Sequence, residues 1–215
     1  LLLTFLIVKV SGVKPLEEKM KQHADFKRYA ENTPSLVPPS LVNGFLYGIT
    51  WFALIIYGAR GAQLIPTLAA VGCYAAQVIL FAKFDRKSLR ICIPLSIIAM
   101  GFGLLQEMVF IHFGILAYPK EGIFPPLWLL ALYPLFSLTL NSSLAFLNKN
   151  LVLTFILGGF GALLSYLSGE RLGGVQLFTP LAYPVLFLSW GLFLTVMIIL
   201  NRKLISLRTD APKSR

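Results

Sequence analysis

Three observations predict an all-α, multi-pass membrane bundle with six spans after residue 40. The chain is 57% hydrophobic and 13% charged, whereas soluble domains carry about 25% charged residues. From Leu41 onward the apolar residues gather into six runs, each near the roughly 20 residues that cross a hydrocarbon core as a helix. If successive runs alternate across the membrane, sixteen of the nineteen Lys and Arg residues fall on one side, as the preference of basic residues for the cytoplasmic face requires.

The first ten residues, LLLTFLIVKV, are apolar but span only about 15 Å as a helix, half of a hydrocarbon core of about 30 Å. They lack the basic start and small-residue cleavage site of a signal peptide. They read as the end of a helix that begins upstream, an incomplete span at the amino terminus. The polar stretch that follows is helix-forming from Leu16 to Glu31, and Pro34, Pro38 and Pro39 end it, because proline removes a backbone donor and clashes with the preceding turn. A short surface helix and an extended linker are expected there.

The six runs are Leu41 to Ala59, Ala62 to Ala82, Ile91 to Ala117, Pro126 to Leu147, Leu151 to Leu167 and Pro180 to Leu200. Their short connections make neighbours antiparallel. The third run, about 40 Å of helix, demands tilt, a kink near Gly101 and Gly103, or an end lying in the interface. The parts of the chain are therefore 1–40, a six-helix domain over 41–204 and a basic tail over 205–215. Both termini are placed on the cytoplasmic side. The formal charge of +10 is read as orientation signal and lipid-headgroup contact, with membrane lipids as partners and no nucleic acid. Cys73 and Cys92 sit in different runs without metal-ligand spacing and read as structural thiols.

Glu107 is the one acid in the body of an apolar run. A carboxylate in hydrocarbon is costly unless it is paired, protonated or facing a wet cavity, so some other group must match it. Helical spacing puts Gly103, Phe110 and Gly114 on its face, with Gln106 as a polar neighbour, and points His112 elsewhere. In the fourth run TLNSSL brings Thr139, Asn141, Ser142 and Ser143 into lipid, where Asn141 is a candidate to bond another polar side chain. These three, Glu107, Gln106 and Asn141, form the candidate intramembrane polar site. Gly103, Gly158, Gly161 and Ser165 are expected to pack helices closely, as Gly44 and Gly48 are on the first run. The glycines of GGFGALLSYLSGERLGG make no phosphate loop, since there is no G-K-[ST] and no preceding strand. No nucleophile with an adjacent base, no paired carboxylates and no metal spacing is found, so neither a catalytic residue nor a metal or other cofactor is assigned from the residues.

The acid near Glu107 between small residues, PPLWLLALYPLFSLTLNSSLAFL from Pro125, and GGFGALLSYLSGERLGG from Gly158 together resemble the bacterial integral-membrane family called domain of unknown function 2878, over 41–204. That family's acid is often Asp and its small-residue stretch often holds a proline, where this chain has Glu107 and Leu163. The resemblance implies a bacterial inner-membrane location and, through an association with lipid-modifying genes, an accessory or lipid-associated role, with a membrane enzyme as a possible partner. LLLTFLIVKVSGVKPLEEKM, with Phe26, Tyr29 and TPSLVP, resembles the carboxyl-terminal tail of steroid 5-alpha-reductase and isoprenylcysteine methyltransferase-like membrane enzymes. That likeness implies cofactor contacts at Glu18 and Tyr29 and a fusion to an NADPH-dependent reductase-like module. Glu31 and Asn32 stand where it would place basic residues, and the catalytic spans are missing, so the chain as given is not read as an enzyme. A third reading is a small proton-coupled transporter using Glu107.

Overall fold

The computed structural model describes residues 39–84, 86–119 and 122–209. Six helices carry the described chain: α1 Pro39–Ala59, α2 Leu64–Phe84, α3 Arg86–His112, α4 Leu127–Thr139, α5 Leu151–Arg171 and α6 Ala182–Thr209. Among the described residues four of them, α1, α3, α5 and α6, are long and apolar enough to cross a membrane, while the apolar α4 is shorter. The fold is an all-α membrane bundle. The expected surface helix and linker before residue 39 lie outside the described residues.

The helix ends follow from local chemistry. Gly114, at φ +63°, takes the left-handed conformation that closes α3, with Ile115 N–H bonded back to Phe110 O at 2.9 Å, a glycine C-terminal cap. The last five residues of the third apolar run therefore leave the helix. Leu116–Ala117 becomes strand β1, antiparallel to β2 at Gln176–Leu177, in the register Leu116 to Leu177. This short ladder ties the α3–α4 connection to the α5–α6 connection. At the opposite end Asn150 caps α5, its Oδ1 accepting from Val152 N and Leu153 N at 3.0 and 3.1 Å, so that side chain satisfies two of the amides a helix start leaves open.

The fourth run departs most from expectation. A helix to Leu147 was predicted, yet α4 stops at Thr139 and a 3₁₀ turn covers Ala145–Lys149. The polar side chains compete for the backbone: Thr139 Oγ1 donates to Phe136 O at 2.6 Å, and Ser142 Oγ accepts from Ser143 N at 2.6 Å. Irregular backbone at membrane depth survives only where protein or water satisfies it, and here the protein does. Asn43 on α1 accepts from Ser142 and Ser143, and Asn148 Nδ2 donates to Leu140 O at 3.2 Å.

Helix α4 is central, packing on α1, α2 and α3, while α5 pairs chiefly with α6 and α3 touches α6. The α5–α6 seam is close because glycine lines it. A Cβ at Gly159 would lie 2.5 Å from the Phe187 ring, and one at Gly191 would lie 2.8 Å from Phe155 O. The outer faces are apolar, with Phe45, Ile49, Phe52 and Ile56 exposed along α1 and Val152, Ile156, Phe160 and Leu164 along α5. Those stripes repeat every three or four residues, the spacing of one helix face, and suit lipid contact.

Candidate functional site

Glu107 is completely buried, at 0% exposure, and three tyrosines converge on it. Tyr118 donates to Oε2 at 2.7 Å, Tyr133 donates to Oε1 at 2.8 Å, and Tyr166 also donates to Oε1. Each comes from a different part of the fold. Tyr133 sits on α4, Tyr166 on α5, and Tyr118 directly after β1, so the two-stranded ladder is what holds the third hydroxyl in place. The approach of Tyr133 needs Gly103: a Cβ there would lie 2.3 Å from the ring. A carboxylate that accepts three hydroxyl bonds recovers much of the solvation it loses on burial.

The three tyrosines are also one wall of a cavity of about 280 Å³. It lies between α1 and α5, whose main packing partners are other helices, and α4 and Trp190 of α6 close its back. Trp51, Trp128 and Trp190, all the tryptophans of the chain, line it, as do Tyr47, Phe136 and Phe146. Trp190 stacks on Tyr133 at 5.5 Å between centroids and 14° between planes, and Tyr118 meets Trp128 edge-on at 6.3 Å. Glu107 does not reach the cavity surface; its tyrosines stand between.

The candidates singled out in the sequence fall into separate places. Gln106 is half-buried beside the carboxylate in sequence, but its Nε2 is buried without a hydrogen-bond partner, and it takes no part in the tyrosine cluster. Asn141 lies elsewhere, exchanging two amide bonds with Asn201 of α6 at 2.9 and 2.8 Å. Among the glycines, a Cβ at Gly158 would lie 3.0 Å from Leu194 Cβ and Trp190 O, whereas one at Gly161 would find nothing within 4 Å among the described residues. Gly161 and Ser165 line the cavity. For Gly161 the expected close packing is corrected on that ground, because its side of α5 faces open space. A Cβ at Gly44 would lie 3.1 Å from Ser143 Cβ, and one at Gly48 would meet nothing within 4 Å among the described residues. Glu18 and Tyr29 lie outside the described residues.

A second polar cluster joins α1, α2 and the turn after α4. Asn43 Nδ2 donates to Gln77 Oε1, and Cys73 Sγ receives Thr50 Oγ1 at 3.2 Å and Gln77 Nε2 at 3.5 Å. Both cysteines carry their sulfur as a thiol. Between α3 and α4, Ser96 and Ser137 hydroxyls lie 2.7 Å apart. Among the described residues, no three of His, Cys, Asp and Glu come together as metal ligands would.

The family described as "Protein of unknown function (DUF2878)" matches residues 40–196. The chain belongs to the DUF2878 family. The match takes in every residue of the Glu107 cluster and of the cavity wall, so both are features of this chain's DUF2878 region. It begins at residue 40 and leaves the reductase-like reading of 1–40 without support. No curated protein and no solved structure matches the chain.

The tyrosines themselves were missed in the sequence. In a run as aromatic as LWLLALYPLF a tyrosine reads as packing, and Tyr118 lies beyond the end of its helix, where no periodicity links it to Glu107. The one available signal was the acid itself. A buried carboxylate requires donors, and with Lys and Arg confined to the run boundaries, tyrosine was the donor the apolar runs could supply at Tyr133 and Tyr166.

Proposed function

We propose that this DUF2878 protein is a lipid-associated membrane protein that holds a membrane amphiphile in the cavity between α1 and α5. The observation that carries the reading is the pairing of the cavity with the Glu107 cluster: an apolar, aromatic space opening between two helices with lipid-facing stripes, and one polar locus on its wall. Ligand sites between bundle helices have this character, largely apolar with a few convergent polar groups that fix orientation. The cavity extends along α5 from Leu157 to Gly169, about 18 Å of helix, which suits an extended chain better than a compact solute. The reading is binding or presentation of a lipid, with no reaction assigned.

The test is to fill the space. Gly161 has room for a side chain and faces the cavity, so Gly161→Leu should fold normally and exclude the occupant. Purified in mild detergent, the wild-type protein is expected to retain a stoichiometric lipid by mass spectrometry, and Gly161→Leu at least tenfold less at equal thermal stability. Equal retention by both would sink the reading.

A further inference from the structure

We infer that the occupant of this cavity is cationic at its head, an organic ammonium group on an apolar chain, held against the aromatic wall in front of Glu107. This rests on the cavity reading above and adds the chemistry of the head.

The wall selects charge by how its hydrogens are committed. Tyr118, Tyr133 and Tyr166 each spend their one hydroxyl hydrogen on Glu107. A phenol has a single donor, so these hydroxyls have none left for a ligand, and any further bond they make is as acceptors. A phosphate or carboxylate would meet three acceptors and a carboxylate behind them, whereas an ammonium group meets complementary charge. The faces of Trp51, Trp128 and Trp190 add the attraction of aromatic quadrupoles for cations, strongest at tryptophan and in desolvated sites. Among the described residues no Lys, Arg or His lines the cavity, and the side chains bonded to Glu107 are three neutral tyrosines. Charge at a buried acid without a neighbouring cation is costly, and a bound ammonium would offset that cost at Glu107.

Because all three tryptophans of the chain line the cavity, selectively excited tryptophan fluorescence reports on this site. The full chain is placed in phosphatidylglycerol nanodiscs and titrated with dodecyltrimethylammonium, with the uncharged analogue carrying a tert-butyl head on the same chain, and with tetramethylammonium. The cationic amphiphile is expected to bind at least tenfold more tightly than its neutral analogue. Tetramethylammonium should bind weakly, since it lacks the chain. Glu107→Gln is expected to bring the ratio of the charged to the neutral amphiphile's affinity close to one, whatever it does to either affinity alone. Should that variant fail to fold, Trp51→Leu tests the aromatic contribution and should reduce the preference several-fold. Equal binding of charged and neutral amphiphiles by the wild-type chain overturns the inference and leaves the lipid cavity standing. If neither amphiphile binds, both readings fail, and strong binding of tetramethylammonium alone would replace a lipid with a soluble ammonium ligand.

Discussion

The ring of Tyr133 occupies the place of the side chain that Gly103 does not have, with its Cε1 2.3 Å from where a Cβ would stand. One helical turn further along α3 its hydroxyl reaches Glu107, so a missing side chain and a buried acid act as one device.

Gly103→Ala should therefore displace Tyr133 and destabilise the bundle by about 1–3 kcal/mol, the usual cost of overpacking. Thermal unfolding in detergent measures it. The loss should shrink markedly in a Tyr133→Ala background, as a double-mutant cycle requires when two residues contend for one space; additive losses would contradict the geometry.

Substitutions at Glu107 should rank by how many acceptors they leave. Leucine strands three phenol donors, each buried and costing roughly 1–3 kcal/mol when unsatisfied. Glutamine keeps one acceptor oxygen. The expected order of stability is wild type, then Glu107→Gln, then Glu107→Leu, read from melting temperatures in one detergent. A leucine variant as stable as wild type would show that the tyrosines do not depend on the acid.

Asn201→Ala removes the reciprocal amide pair with Asn141 and the contact to Asn148 at 3.3 Å. Hydrogen bonds between membrane helices average about 0.6 kcal/mol with a maximum near 1.7, so a loss in that range is expected. Adding Asn141→Ala should cost little more, because its amide partner is already gone and its remaining contact, to Cys92 Sγ at 3.9 Å, is long.

Gly114→Ala isolates a backbone effect. Nothing lies within 4 Å of the added Cβ, and the residue sits at φ +63°, so the expected loss of about 1–2 kcal/mol is conformational. Unchanged stability would argue that the α3 terminus relaxes freely.

Much of the architecture was legible in the sequence because hydrocarbon imposes a length. Glu107 was legible for the same reason, since an acid in an apolar run has no ordinary explanation. What could not be read was where runs stop being helix. Apolarity measures depth in the membrane and says nothing of backbone shape, so Phe113 to Ala117 and Leu140 to Leu147 passed as helix. The break after Thr139 had its signal in TLNSS, a string of side chains that bond their own backbone. The cavity was illegible in principle: Gly161 and Gly158 are three residues apart and look alike in the chain, yet one packs against α6 and the other faces open space.

The break after α4 also sets an order of events during synthesis. Thirteen helical residues rise only about 20 Å, and the irregular segment beyond them draws its partners from Asn43 near the start of the domain and Asn201 near its end. The middle of the chain therefore cannot complete its bonding until the last helix has left the ribosome. Until then this segment is a polar loose end.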